Sequence, residues 1–264
     1  MQVHKEKDRP DTSESRMWVY SSAKRADIQL RCFEYRESRS GKWARNFLEG
    51  FSGVLITDGY SGYNKVQDAE RAGCRAHMCR KWLKATPEGA DAKTCKAAEG
   101  YAFCNRLFEL EHQFEKLPAE ERLVQCKEKS APVLEAYWKW LNTISRPTGK
   151  LKDAVTYAQN QKAHLCAFLE HGEIEISNNQ VENAIHPFVV DRKGWLFADT
   201  PQGAEASAII YSLMETAKAN SLRLDDYLLH LLSILPERAE RNKDFEGDDL
   251  LPWSEEMKSW FTAV

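Results

Sequence analysis

Apolar positions change rhythm along the chain. Over roughly the first seventy residues they come in short runs. Met17–Tyr20 (MWVY), Ile28–Cys32, in which apolar and polar residues alternate, and Val54–Ile56 carry β-branched and aromatic side chains and read as strands. Between the second and third, WARNFLEGF (Trp43–Phe51) has helical spacing and closes on Gly53, which predicts a short connecting helix. From Gly89 to Glu170 the period becomes 3.6. Phe103, Leu107, Leu110 and Phe114 form one stripe, and Leu134, Tyr137, Trp138 and Leu141 another. These stripes predict a helical block, punctuated by Pro118 and by the RPTG of Arg146–Gly149, and packing is sufficient reason for them.

Beyond that block, EISNNQVENAIHPFVVDRKGWLFAD (Glu175–Asp199) reads as a polar turn, a short helix stopped at Pro187 and a strand at Trp195–Phe197. AIIYSLMETAKAN (Ala208–Asn220) and LDDYLLHLL (Leu224–Leu232) read as amphipathic helices. The segment Glu237–Glu256 is acidic and is expected to be mobile, with LLPW (Leu250–Trp253) docking back. The pattern gives an α/β protein with four segments: 1–86, strand-rich; 87–171, helical; 172–236, mixed with closing helices; and 237–264, an acidic tail.

With 264 residues, 42% of them apolar, the chain can bury a substantial core. A net charge of -3 removes the signature of a globally basic nucleic-acid binder, so any such face is local. Seven cysteines without a repeated CxxC spacing fit free thiols in a reducing compartment. The charged MQVHKEKDRP is unlike a signal peptide, and the longest greasy run, LLHLLSIL (Leu228–Leu235), is too short to span a bilayer. A soluble, cytoplasmic protein is expected.

Three places could carry chemistry. Asp58 ends the apolar run of ITDGYSGYNKV and precedes Gly59, so it is either the acid of a strand-end site or the first residue of a turn. Glu182 falls early in a helix that Ser177, Asn178 or Asn179 could cap. Asn179 and Glu182 have capping-box spacing, while His186 shares the face of Glu182 one turn on. Arg71 and AGCRAHMCRKWLK (Ala72–Lys84) carry Arg75, Arg80, Lys81 and Lys84 without an acid, interleaved with His77 and Trp82. They make either a phosphate-facing patch or a solvated basic face. Cys74, His77 and Cys79 supply too few ligands at the wrong spacing for a structural zinc. Arg192 and Lys193 form a second basic pair beside Trp195. A glycosidase reading of the carboxylates leaves the basic clusters without a role.

Taken in order, MWVY, GVLITDGYSGYNKV, GCRAHMCRKW, ISNNQVENAIHPFVVDRKGWLFAD, YSLMETAKAN and LLPW resemble the transposases of the insertion sequence 66 family, DDE recombinases with a ribonuclease H-like core. The resemblance implies a mixed sheet flanked by helices and interrupted by the helical block. Asp58 would be the middle acid and Glu182 the closing acid of a site using two Mg²⁺ or Mn²⁺ ions, with Asp58 bridging them and Glu182 holding one. It also implies DNA as partner, both terminal repeats and target, contacted through Arg75, His77, Arg80, Lys81, Arg192 and Lys193. A homo-oligomer assembled on DNA and accessory transposition proteins are implied as well.

The family's first acid lies in an Ala-Asp-Glu-Thr strand end before the stretch resembling MQVHKEKDRP. Asp8, Asp11 and Asp27 are poor substitutes by position, and His186 stands where the family more often has arginine. The expectation is therefore a C-terminal part of the catalytic region with its first core strand truncated and little or no strand-transfer activity by itself. The alternative expectation is an inactive remnant that binds DNA or a full-length transposase.

Overall fold

The computed structural model describes residues 1–242 and 244–263. In chain order the elements are β1 (Gln2–Val3), β2 (Arg16–Ser21), β3 (Arg31–Arg36), α1 (Gly41–Phe47), β4 (Gly53–Thr57), β5 (Ala69–Gly73), α2 (Arg75–Ala85) and α3 (Lys96–Phe114). There follow α4 (Ala119–Gln125), α5 (Ala131–Leu141), α6 (Gly149–Asn160), α7 (Lys162–Cys166), α8 (Asn179–Trp195), β6 (Phe197–Ala198), α9 (Pro201–Ala219), α10 (Leu224–Arg241) and α11 (Glu255–Phe261). The protein is α/β and mostly helical. Among the described residues the strands form three separate pairs where one mixed sheet was expected: β1 with β6 and β4 with β5 are parallel, β2 with β3 antiparallel.

The chain divides into two compact units, residues 41–179 and residues 1–40 with 180–264. The helical block expected over 87–171 shares one core with β5 and α2 in the first of these. Trp82 of α2 is buried to 0% exposure and donates its indole N–H to the Tyr137 hydroxyl of α5 at 3.1 Å. Leu107, Leu110 and Phe114 of α3 and Leu134, Tyr137 and Leu141 of α5 are the buried members of the expected stripes; Phe103 and Trp138 are partly buried against them, and Cys104 is buried beside Phe103. A Cβ on Gly100 would lie 2.5 Å from the Trp82 ring, so the missing side chain is what lets α3 approach it. A π-helical turn, Cys126–Ser130, joins α4 to α5. Arg122 of α4 is buried; its Nη2 donates to both carboxylate oxygens of Glu111 at 2.7 Å, while its Nη1 donates to the Gly172 carbonyl at 2.7 Å.

In the second unit the true alternation runs through β3. Arg31, Phe33 and Tyr35 point inward, and Ile28, expected in that strand, is exposed. The pattern expected over Ile28–Cys32 is thus displaced, because Phe33 and Tyr35 continue the alternation inward where Ile28 does not. Helix α9 packs on β3 through Ala204 and Ala208, and Phe33, Phe188 and Tyr211 contact one another by their rings. Helix α8 runs through Pro187 where a stop was expected; one lost N–H did not outweigh burial of Ala184 and Phe188. In the segment expected to be mobile, LLPW docks through Leu250, which joins Met257 just beyond that segment in a core with Ala217, Tyr227 and Leu231; Lys243 and Val264 lie outside the described residues.

Candidate functional site

In the 41–179 unit, β4 ends at the buried Thr57 and its C-terminal end delivers Asp58. The Asp58 Oδ1 accepts the Tyr60 N–H at 2.9 Å, an Asx turn that holds the side chain against its own backbone. Gly59 follows with φ +86°, a conformation its lack of Cβ makes inexpensive. The Asp58 carbonyl accepts the Tyr157 hydroxyl of α6 at 2.9 Å. Of the two readings of Asp58, the turn is what the hydrogen bond shows, and its place just past the end of a parallel strand is where the acid of a strand-end site was expected.

Arg71 of β5 donates to Thr57 Oγ1 at 2.8 Å and to Asn64 Oδ1, tying the loop after Asp58 back to the strand pair. Burial lowers the Arg71 pKa from its ordinary value, and the negative charge of Asp58 opposes that shift. Burial likewise raises that of the Tyr157 hydroxyl, with smaller contributions from Cys74 and Asp58, so it remains a donor through the neutral range.

Helix α2 displays the basic cluster on two faces. Arg80 and Lys81 are exposed; Arg80 reaches Asn179 Oδ1 at 3.4 Å and His77 Nε2 at 3.4 Å, and the Lys81 ammonium lies 6.0 Å from the Tyr157 ring. Arg75 is different. It is 1% exposed, donates to the Leu165 carbonyl, and sits 4.6 Å over the Phe168 ring. Burial lowers its pKa, and its Nε and Nη1 have no protein partner. Arg75 thus has no surface to offer a phosphate chain, which corrects its expected place among the DNA contacts. At helical spacing it faces inward while Arg80 and Lys81 face out.

In the other unit, Glu182 lies half-buried in the first turn of α8, where the helix dipole favours a carboxylate, and His186 is exposed one turn on. Arg192 and Lys193 occupy the last turn, complementary to the dipole. Arg192 stands close enough to the Met1 amine to help lower its pKa, after burial. Asp58 and Glu182 thus belong to different units. Carboxylates are the donors a hard divalent cation takes. Among the described residues, however, no group of three or more His, Cys, Asp or Glu side chains gathers into a cation site, so the fit is one of donor type and not of a complete cage. Tyr157 was missed from sequence because it reads as one more residue on an amphipathic helix.

No helix is long and apolar enough to cross a membrane among the described residues. A family model described as Transposase IS66 family matches residues 1–206. The chain is 28% identical over 260 residues to the uncharacterized protein y4qI of Sinorhizobium fredii, covering 92% of this chain and 47% of that protein. It is 26% identical over 246 residues to the uncharacterized protein y4hP of the same organism, covering 86% and 44%. It is also 29% identical over 238 residues to the uncharacterized protein y4jD, covering 83% and 44%. The chain spans less than half the length of these curated relatives. No solved structure matches it. With more than three quarters of its length matched by the family model, the chain belongs to the IS66 transposase family.

Proposed function

We propose that this chain carries two acids of a DNA-transposing enzyme, Asp58 as the middle acid and Glu182 as the closing acid of a DDE site. Residues 1–86 and 172–236 would form a ribonuclease H-like core, with 87–171 as its helical insertion. The observation that carries the reading is Asp58 itself: a carboxylate at the C-terminal end of a parallel strand, in a chain whose family is a transposase family. Strand cleavage and transfer require an in-line nucleophile and a stabilised leaving oxygen, and divalent ions held by Asp58 and Glu182 would supply that stabilisation when bound. The protein's own groups do the rest. The Asx turn orients Asp58, and the exposed Arg80 and Lys81 of α2 meet the phosphate backbone, with His77, Arg192 and Lys193 as further contacts.

The second reading is an inactive remnant that binds DNA or a full-length transposase, carried by the exposed basic side chains of α2 alone. Both readings share the DNA contact, which fluorescence anisotropy on a labelled 30-base-pair duplex tests over a salt series. Arg80→Ala and Lys81→Ala should each weaken binding and reduce the salt slope by about 1, whereas Arg75→Met should leave the slope unchanged. Equal slopes for wild type and the Arg80 and Lys81 variants would remove α2 from the interface.

A further inference from the structure

The helices from α3 to α7 form a packed core, yet α6 and α7 also meet the Asp58 turn through polar groups. Tyr157 donates its hydroxyl to the Asp58 carbonyl at 2.9 Å. Just past the end of α6, Gln161 joins Tyr157 in covering Gly59: a Cβ there would lie 3.1 Å from Gln161 Cδ and 3.2 Å from Tyr157 Cε2. In α7, His164 Nδ1 lies 3.1 Å from the Arg71 carbonyl on β5, the parallel partner of β4.

Gly59 makes such an anchor necessary. At φ +86° and with no Cβ, it leaves the peptide plane between Asp58 and Gly59 little steric resistance to rotation. That plane lies inside the Asx turn, between the Asp58 carboxylate and the Tyr60 N–H it accepts at 2.9 Å. If the plane rotates, the turn opens and the carboxylate loses its direction. The Tyr157 hydroxyl fixes the plane by its carbonyl oxygen.

We propose that Tyr157 is a positioning residue, a group of the helical block that holds the Asp58 peptide so that the carboxylate is pre-set for its ligand. The inference deepens the reading of Asp58 as a cation-holding acid and rests on it for its functional meaning. The hold on the turn can be measured by itself.

The test is hydrogen–deuterium exchange over residues 58–64 in Tyr157→Phe, with Tyr137→Phe as control. Tyr137 is also a buried tyrosine of the same core, but its hydroxyl serves Trp82 and Met78. Tyr157→Phe should speed exchange across the turn about fivefold, as loss of one hydrogen bond implies, and Tyr137→Phe should not. Gly59→Ala, which presses a methyl group on Tyr157 from the turn side, should also speed it, so the result does not hang on one variant. Unchanged exchange in Tyr157→Phe, or equal acceleration in Tyr137→Phe, would overturn the proposal. Mn²⁺ binding, followed by the electron paramagnetic resonance of the free ion, separates this from the functional reading. A weakened Tyr157→Phe and a non-binding Asp58→Asn support both. Faster exchange with Mn²⁺ binding unaltered in Asp58→Asn supports the positioning and overturns the metal role.

Discussion

The two acids stand on supports of different kinds. Asp58 leaves a short strand on a turn pinned from both sides, by its own Asx bond and by a helix remote in sequence, and behind it lies a core built on Trp82, Tyr137 and Phe114. Glu182 rises from the first turn of a long helix held by the packing of Phe188 on Phe33 and Tyr211. A strand end needs outside hydrogen bonds to fix a side chain, because the loop after it has no internal ladder. A helix fixes the direction of every side chain through its own backbone. Damage to distant packing should therefore reach the two acids by different routes.

Trp82→Ala is the strongest way to break it. Removing a fully buried indole should destabilise the 41–179 core by about 3–5 kcal/mol. Exchange protection should fall across residues 41–179, the Asp58 turn included, while β3 and α9 in the other unit keep theirs. Equal loss in both units would show a single cooperative core and dissolve the distinction.

Glu6→Gln probes the other unit more gently. Glu6 is buried and accepts from the Tyr35 hydroxyl, from Ser15 Oγ at 2.5 Å and from Arg9. Burial, then the bond and charge of Glu6, raise the Tyr35 pKa. Replacing the carboxylate by an amide should cost about 1–3 kcal/mol by thermal melting, with the deficit confined to residues 1–40 and 180–264. A change in exchange at residues 58–64 would contradict that confinement.

Much of this architecture was legible in the sequence. The helical stripes ending at Phe114 and Leu141 set the core because period 3.6 over many residues is a strong signal. The strand over Met17–Tyr20 and the end of β4 were also visible, and with them the position of Asp58. Strand β5, AERAG, was not: it carries charge where a strand pattern needs apolar alternation, and its parallel pairing with β4 is a long-range choice. The burial of Arg75 was hidden for a related reason. Five basic residues close together read as one patch, and only the turn of the helix separates the inward one from Arg80 and Lys81. The Tyr157 contact joins residues nearly a hundred positions apart, and no local rule in a single sequence marks it.

In the proposed function, Asp58 and Glu182 would serve the same divalent cation. A Mn²⁺ titration by electron paramagnetic resonance on wild type, Asp58→Asn, Glu182→Gln and the double variant tests it most directly. If the ligands are shared, each single change should weaken binding about tenfold or more, and the double variant should be little worse than the more affected single, because the second removal finds the site already lost. Independent single effects that multiply in the double variant, or binding indifferent to either residue, would contradict it.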